Sequence, residues 1–242
     1  MPIPSTLDII LPCYNPQRNW EEQVLQSYRE ICKALPYIKI QLILVNDGSV
    51  HTIETAVIEK INESVPLFQF INYPVNKGKG FALREGMKHA TAEVVIYTDI
   101  DFPYTTESFL QIFDALYKNT CDIAAGIKDK TYYRHTPVVR KFISKLLRFF
   151  SGVFLKLKIT DTQCGLKGMN ENAKAVFLQS SINRYLFDLE FIFLASRRKD
   201  LKLLPVEVQL RQKVEFSAIP YSILFTEAGN FIKIFLKSIF TK

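Results

Sequence analysis

The sequence of 242 residues has only four cysteines, three histidines and one tryptophan. It also has no uninterrupted apolar run of the roughly 18 residues that a membrane-crossing helix needs. Each shortage narrows the chemistry. Cys13, Cys32, Cys121 and Cys164 form neither a Cys-x-x-Cys pair nor a dense framework, which argues against a disulfide scaffold and against a zinc site. They read as small buried hydrophobes in a reducing compartment. His51, His89 and His135 are scattered and make no ligating or catalytic pattern. The first residues lack a basic stretch followed by an apolar core, so no signal peptide is expected. Neither the Gly-x-x-x-x-Gly-Lys-Ser/Thr spacing of a P-loop nor a Gly-x-Gly-x-x-Gly turn after the first apolar run occurs, which disfavours a dinucleotide cofactor.

What the sequence does have is bulk and positive charge. A hydrophobic content of 48% with 13% aromatic residues is enough for one well-buried domain and little for two. The net charge of +7 implies an anionic partner, whether a nucleotide, a lipid phosphate, a membrane surface or nucleic acid.

The organising stretch is Glu93-Val94-Val95-Ile96-Tyr97-Thr98-Asp99-Ile100-Asp101. It predicts a buried strand that delivers two carboxylates, two positions apart, onto a loop. Alternation along an extended backbone would put Asp99 and Asp101 on one side, where hard oxygens can hold Mg²⁺ or Mn²⁺ against a pyrophosphate. A solvated Asp-x-Asp turn is the plain alternative.

Three similar units precede it. Leu7–Leu11 reads as a strand, Pro12–Pro16 as a loop and Trp20–Leu35 as a helix. Ile40–Val45 leads through Asn46-Asp47-Gly48-Ser49 into a helix over Ile53–Ile61. Leu67–Tyr73 leads through Asn76-Lys77-Gly78-Lys79-Gly80 into a helix over Phe81–Ala90. The alternation predicts an α/β domain with a mainly parallel central sheet flanked by helices, its site beyond the carboxyl ends of the strands. There Asp47 can accept hydrogen bonds from a base or ribose, or can simply close an Asp-Gly turn. Lys77 and Lys79 could place ammonium groups near phosphates at a helix start.

Taken together, Ile9-Ile10-Leu11-Pro12-Cys13-Tyr14-Asn15, Asn46-Asp47-Gly48-Ser49, Asn76–Gly80 and Thr98–Asp101 resemble family 2 glycosyltransferases of GT-A (Rossmann-like) fold. The resemblance continues through Asp161-Thr162-Gln163-Cys164-Gly165-Leu166-Lys167 and Phe187-Asp188-Leu189-Glu190, which are similar to the dolichyl- and polyprenyl-phosphate sugar transferases. It covers roughly residues 5–215 and implies a glycosyltransferase domain over residues 1–215, which leaves an amphipathic helical tail over 216–242. By that likeness Pro12, Tyr14 and Asp47 would cradle the nucleoside, with Asn15 and Lys79 in the same nucleotide-sugar site. Asp99 and Asp101 would serve the metal and diphosphate, and Asp161 with Gln163 would lie by the sugar and acceptor. Lys128, Arg140 and Ser144 sit where these enzymes bind the acceptor phosphate, and Arg211 and Lys213 where they meet the donor diphosphate. Pro16 departs from the pattern, since the family usually has Glu after Tyr-Asn. The Asp161–Gly165 run tilts the donor toward UDP-glucose over GDP-mannose.

Two further segments bear on the partner. Lys128, Lys130, Arg134, Arg140, Lys141, Lys145, Arg148, Lys156 and Lys158 face a single acid, Asp129, over that span. Within it, Val138–Phe150 interleaves charge with apolar residues at helical spacing, suited either to lipid and phosphates or to a solvated cationic face over a core stripe. Nucleic acid is the poorer partner, because no base-stacking motif accompanies the charge. In the tail, Leu224, Ala228, Phe231, Ile232, Phe235 and Ile239 fall on one helical face, with Lys233 and Lys237 interrupting the run. This predicts a helix lying in the inner membrane interface, against the alternatives of a core-packed helix or a homodimer contact. Many enzymes of the branch it resembles carry transmembrane helices after the catalytic domain; a separate membrane subunit could take their place here.

The resemblance therefore implies a metal-dependent hexosyltransferase acting on polyprenyl phosphate. A saccharide-hydroxyl transferase of surface polysaccharide assembly, with Asp161 as base, is the second reading. A non-catalytic nucleotide-sugar or membrane-binding module is the third. Asp188 and Glu190 are read as supports of the active-site loops or as purely structural.

Overall fold

The computed structural model describes residues 5–51, 53–128, 138–211 and 221–240, with the side chains of 138–140, 221–225 and 240 outside the description. Seven strands form one sheet: β1 (Thr6–Cys13), β2 (Lys39–Asp47), β3 (Phe68–Tyr73), β4 (Val94–Tyr97), β5 (Ile123–Lys128), β6 (Lys167–Asn170) and β7 (Leu203–Val208). Their order is β3-β2-β1-β4-β6-β5-β7. β6 runs antiparallel to both neighbours, and the other pairings are parallel. The helices are α1 (Trp20–Ala34), α2 (Thr55–Ser64), α3 (Lys79–His89), α4 (Thr106–Tyr117), α5 (Val138–Val153), α6 (Glu171–Phe177), α7 (Phe187–Ser196) and α8 (Tyr221–Phe240).

The strands are apolar on both faces because both are covered. Leu7, Ile9, Leu11, Leu42, Leu44 and Ile96 pack with Leu25 and Ile31 of α1 and Phe109 and Phe113 of α4. Ile10, Ile43, Val45, Val95 and Tyr97 point the other way, to Leu83 of α3, Phe177 of α6 and Phe191 of α7. This is the period-2 alternation of a strand buried between two helical layers. From β1 the chain moves outward through β2 and β3, then returns to place β4 on the other side of β1. The reversal opens a crevice at the carboxyl ends of β1 and β4, the usual ligand position in such sheets. Because β6 is antiparallel, its first residue, Lys167, lies opposite Tyr97 at the end of β4. The Asp161–Leu166 segment is thereby delivered to that same edge.

Several element boundaries differ from the sequence-based expectation. β4 ends at Tyr97, and the chain turns at once, with Phe102 N–H donating to the Asp99 carbonyl at 3.0 Å. Asp99 and Asp101 are therefore presented by a turn, not by strand alternation. α2 begins at Thr55, while Ile53 packs into the core from the preceding loop. α3 begins at Lys79, two residues early, because the Asn183 carbonyl accepts from Gly80 N–H at 2.7 Å and Phe81 N–H at 3.2 Å. Those first-turn donors would otherwise lack partners.

The tail helix also differs. The single apolar stripe expected on α8 is divided: Ile234 is buried, and Phe231 and Phe235 pack beside it against the core, whereas Ile232, Leu236 and Ile239 are exposed. Phe231 meets Phe150 and Phe235 meets Phe154, with ring centroids 5.9 and 5.6 Å apart, so α8 lies against α5. The Leu224 side chain lies outside the described residues.

Candidate active site

At the end of β2, Asp47 is buried and its carboxylate is fully engaged. Oδ1 accepts from Tyr73 OH and Lys77 N–H, both at 2.8 Å, and Oδ2 from Gly78 N–H at 2.8 Å and Asn76 Nδ2 at 3.0 Å. These four bonds use the lone pairs a carboxylate offers. This carboxylate, expected on the nucleoside, fastens the 76–78 loop at the end of β2. Gly48 follows at φ 60, and a Cβ there would lie 2.4 Å from the Val75 carbonyl carbon, so the two loops touch backbone to backbone. Asn15 ties in the loop after β1, its N–H donating to Ser49 Oγ at 2.9 Å and its Oδ1 accepting from Val50 N–H at 2.8 Å. Pro12 is buried within β1, and Tyr14 is half exposed beside Asn15. The exposed Tyr14 ring is available to a planar ligand.

The fastened loop leads directly to Lys79, whose Nζ lies 2.5 Å from Asp99 Oδ1. Burial opposes the Lys79 charge, but Asp99, Asp188 and Asp101 outweigh it and hold its pKa above the ordinary lysine value. Asp101 keeps an exposed face, yet dense surroundings and then the Asp99 charge push its carboxyl up, against the pull of Lys79. The Asp99 charge opposes ionisation of Asp101, and an added cation would relieve that opposition.

Behind the turn stands a buried charge pair. Lys167 Nζ, with no exposed surface, lies 2.8 Å from Asp188 Oδ1 and donates to the Cys164 carbonyl at 2.5 Å. Tyr97 OH donates to the same Asp188 oxygen. Desolvating each ion costs several kcal/mol, which this geometry offsets. Lys167 belonged to a motif in the sequence but carried no assigned role; a lone lysine between Leu166 and Met169 was the available signal.

Asp161 is also buried. Its Oδ2 accepts from Lys128 N–H at 2.8 Å and pairs with Arg148 Nη2 at 2.8 Å, while Lys128 Nζ lies 3.8 Å from Oδ1. The Asp161 carboxylate is engaged by two cations and an amide, where the base role for a hydroxyl acceptor asks for a free oxygen. Its evident work is to bind α5 to the end of β5. Gln163 is half-buried, its Nε2 3.5 Å from Thr162 Oγ1. Ser144 lies half-buried on α5. The Arg140 side chain and all of Lys213 lie outside the described residues.

Arg211 departs from its expected place at the donor diphosphate. Its guanidinium donates to Glu30 Oε2 at 3.0 Å, Ser27 Oγ at 3.2 Å, Thr106 Oγ1 at 3.2 Å and the Tyr104 carbonyl at 3.0 Å. It is spent joining α1 to the start of α4, because Glu30 presents a carboxylate there that sequence separation concealed.

Whether a divalent cation fits can be judged from the donor set. Among the described residues no three His, Cys, Asp or Glu side chains converge on one point. Asp99 and Asp101 supply two oxygen donors, and Mg²⁺ sites of this kind complete their shell with substrate phosphates and water. The acidic pair matches that donor chemistry, with Asp99 Oδ1 held by Lys79 Nζ in this structure.

The sequence model of glycosyl transferase family 2 matches residues 8–177, and the chain belongs to that family. A dolichyl-phosphate beta-glucosyltransferase of Trichomonas vaginalis is 28% identical over 242 residues, covering 94% of this chain and 72% of the relative. Another, from Drosophila melanogaster, is 27% identical over 223 residues, covering 85% of this chain and 66% of the relative. The fold is that of GT-A enzymes. Glucosyl-3-phosphoglycerate synthase from Mycobacterium tuberculosis, solved with Mn²⁺, UDP-glucose and phosphoglyceric acid, superposes with a TM-score of 0.64 at 15% identity, covering 97% of this chain and 79% of that one.

Proposed function

We propose that this protein is an inverting glycosyltransferase that moves glucose from UDP-glucose to a polyprenyl phosphate. The observation that carries the reading is the meeting of two charge zones at one sheet edge. Asp99, Asp101 and Lys79 gather after β4, and Lys128 with the basic helix α5 gathers after β5. The first zone suits a nucleoside diphosphate with its cation, the second an anionic acceptor. Similarity to dolichyl-phosphate beta-glucosyltransferases along 94% of the chain supports both the donor sugar and the lipid acceptor.

The chemistry asks little proton transfer of the protein. An acceptor phosphate oxygen attacks the anomeric carbon, that carbon's bond to the diphosphate oxygen breaks, and UDP leaves with the electron pair. The nucleophile is already anionic, so it needs orientation more than a general base. In this reading Lys128, Arg140 and Ser144 position it, and Tyr14, Asn15 and Pro12 line the nucleoside side. Lys79 offsets charge on the departing diphosphate. A divalent cation held by Asp99 and Asp101 would supply further neutralisation of that leaving group. Engagement of Asp161 by Arg148 and Lys128 weighs against a saccharide hydroxyl acceptor, which would need a free carboxylate.

No helix among the described residues is long and apolar enough to cross a membrane. The acceptor is reached from the surface in this reading. Phe142, Leu146, Phe149 and Val153 form an exposed row on α5, and Ile232, Leu236 and Ile239 another on α8. With Lys141, Lys145 and Lys233 beside them, these rows suit the interface of an anionic lipid leaflet.

The test is release of nucleoside diphosphate with Mn²⁺ or Mg²⁺ across UDP- and GDP-sugars, with and without a short polyprenyl phosphate. The expected result is lipid-dependent release of UDP from UDP-glucose, lost in Asp101→Asn without loss of fold. Release indifferent to lipid would overturn the acceptor, and a wild-type rate in Asp101→Asn would overturn the metal assignment.

A further inference from the structure

Glu190 has no exposed surface, and both its carboxylate oxygens are engaged. It accepts from Ser181 N–H at 2.7 Å, Ser181 Oγ at 2.9 Å and Ile182 N–H at 2.7 Å, and its charge partner is the Lys237 ammonium of α8. Burial works against the charged form, but Lys237 and the two amides prevail and hold the Glu190 carboxyl below the usual range.

The segment that Glu190 grips is the one that sets the start of α3. Asn183 O accepts from Gly80 and Phe81 N–H, Ile182 O accepts from Arg84 Nη1 at 2.7 Å, and Arg84 also donates to the Asn183 side chain. α3 opens with Lys79, which faces Asp99. A continuous series of bonded groups thus runs from the tail helix, through α7 and the 181–183 segment, to the acidic turn. α8 has a second hold close by, at the start of α7, since Glu227 Oε2 accepts from Leu186 N–H at 2.9 Å.

We propose that Glu190 is a positioning residue for donor binding and that Lys237 is the counter-ion it requires, so that α8 must be seated for Lys79 to meet the donor diphosphate. The physical reason is the cost of an unpaired buried carboxylate. Without Lys237, Glu190 either takes a proton, and so gives up acceptor capacity on one oxygen, or draws water into the site. Either change loosens the 181–183 segment and with it the first turn of α3. This rests on the reading in which Lys79 faces the donor.

The experiment is calorimetric titration of UDP with Mn²⁺ into the full chain and into Lys237→Met, Lys237→Arg, Lys79→Met and the Lys79→Met/Lys237→Met pair. Lys237→Met should weaken UDP binding about tenfold, equivalent to roughly 1.4 kcal/mol, and Lys237→Arg should restore most of it. The double variant should bind no more weakly than Lys79→Met alone, because the two losses share one route. Should Lys237→Met fail to fold, Glu190→Gln supplies the same test, since the neutral amide needs no counter-ion and Lys237→Met in that background should cost UDP affinity nothing further. Wild-type affinity in Lys237→Met, or additive losses in the pair, would overturn the inference alone. A wild-type protein that binds no nucleoside diphosphate with metal present would overturn both it and the function above.

Discussion

Asp99 occupies the space that a side chain on Gly165 would need: a Cβ there would lie 2.4 Å from Asp99 Oδ2. The glycine of the Asp161–Lys167 run is thus the back wall of the acidic turn. Tyr104 OH, accepting from Gly165 N–H at 2.9 Å, fixes that wall in place. The two motifs, some 60 positions apart, are halves of one surface.

Gly165→Ala should therefore damage the site more than the fold. The colliding atom is the end of a partly exposed side chain that can rotate away, so stability should change by about 1 kcal/mol or less. Displacing Asp99 by an ångström or so should cut sugar transfer about 100-fold. Parallel thermal melts and initial rates check this; a large loss of stability with near-normal rate would contradict it.

Lys167→Met leaves Asp188 as an uncompensated charge in the interior. Removing one partner of a buried pair typically costs about 3–5 kcal/mol, and a shift of that size in urea unfolding is expected. Replacing both partners, as in Lys167→Met with Asp188→Leu, should recover much of the loss because no ion then remains buried. Nearly equal destabilisation by the single and double changes would contradict the pairing.

Asp47→Ala removes the acceptor for two backbone N–H groups and the Tyr73 hydroxyl. Each buried donor left unsatisfied costs about 1–3 kcal/mol, less whatever water replaces the carboxylate. The unfolding midpoint should fall, and hydrogen exchange at Lys77 and Gly78 should quicken ahead of the strands. Unchanged exchange at those two amides would show that the loop is held by other contacts.

The sequence by itself determined the α/β architecture, because a buried parallel sheet requires apolar runs ending in polar loops, and four such runs precede the basic segment. It also determined which loops share an edge, since each follows the carboxyl end of its strand. The family could be recognised from short motifs, because those motifs shape turns whose geometry is local. What only the tertiary structure decided is where long side chains spend their charge. Arg211 answers Glu30, Asp161 answers Arg148 and Lys128, and Glu190 answers Lys237, none of them close in sequence. A charge in sequence is open to any opposite partner within reach, and reach is fixed only after the layers have packed. The tail helix shows the same division: periodicity gave its amphipathic character, but packing decided that Ile234 is buried with Phe231 and Phe235 beside it while Ile232, Leu236 and Ile239 stay exposed.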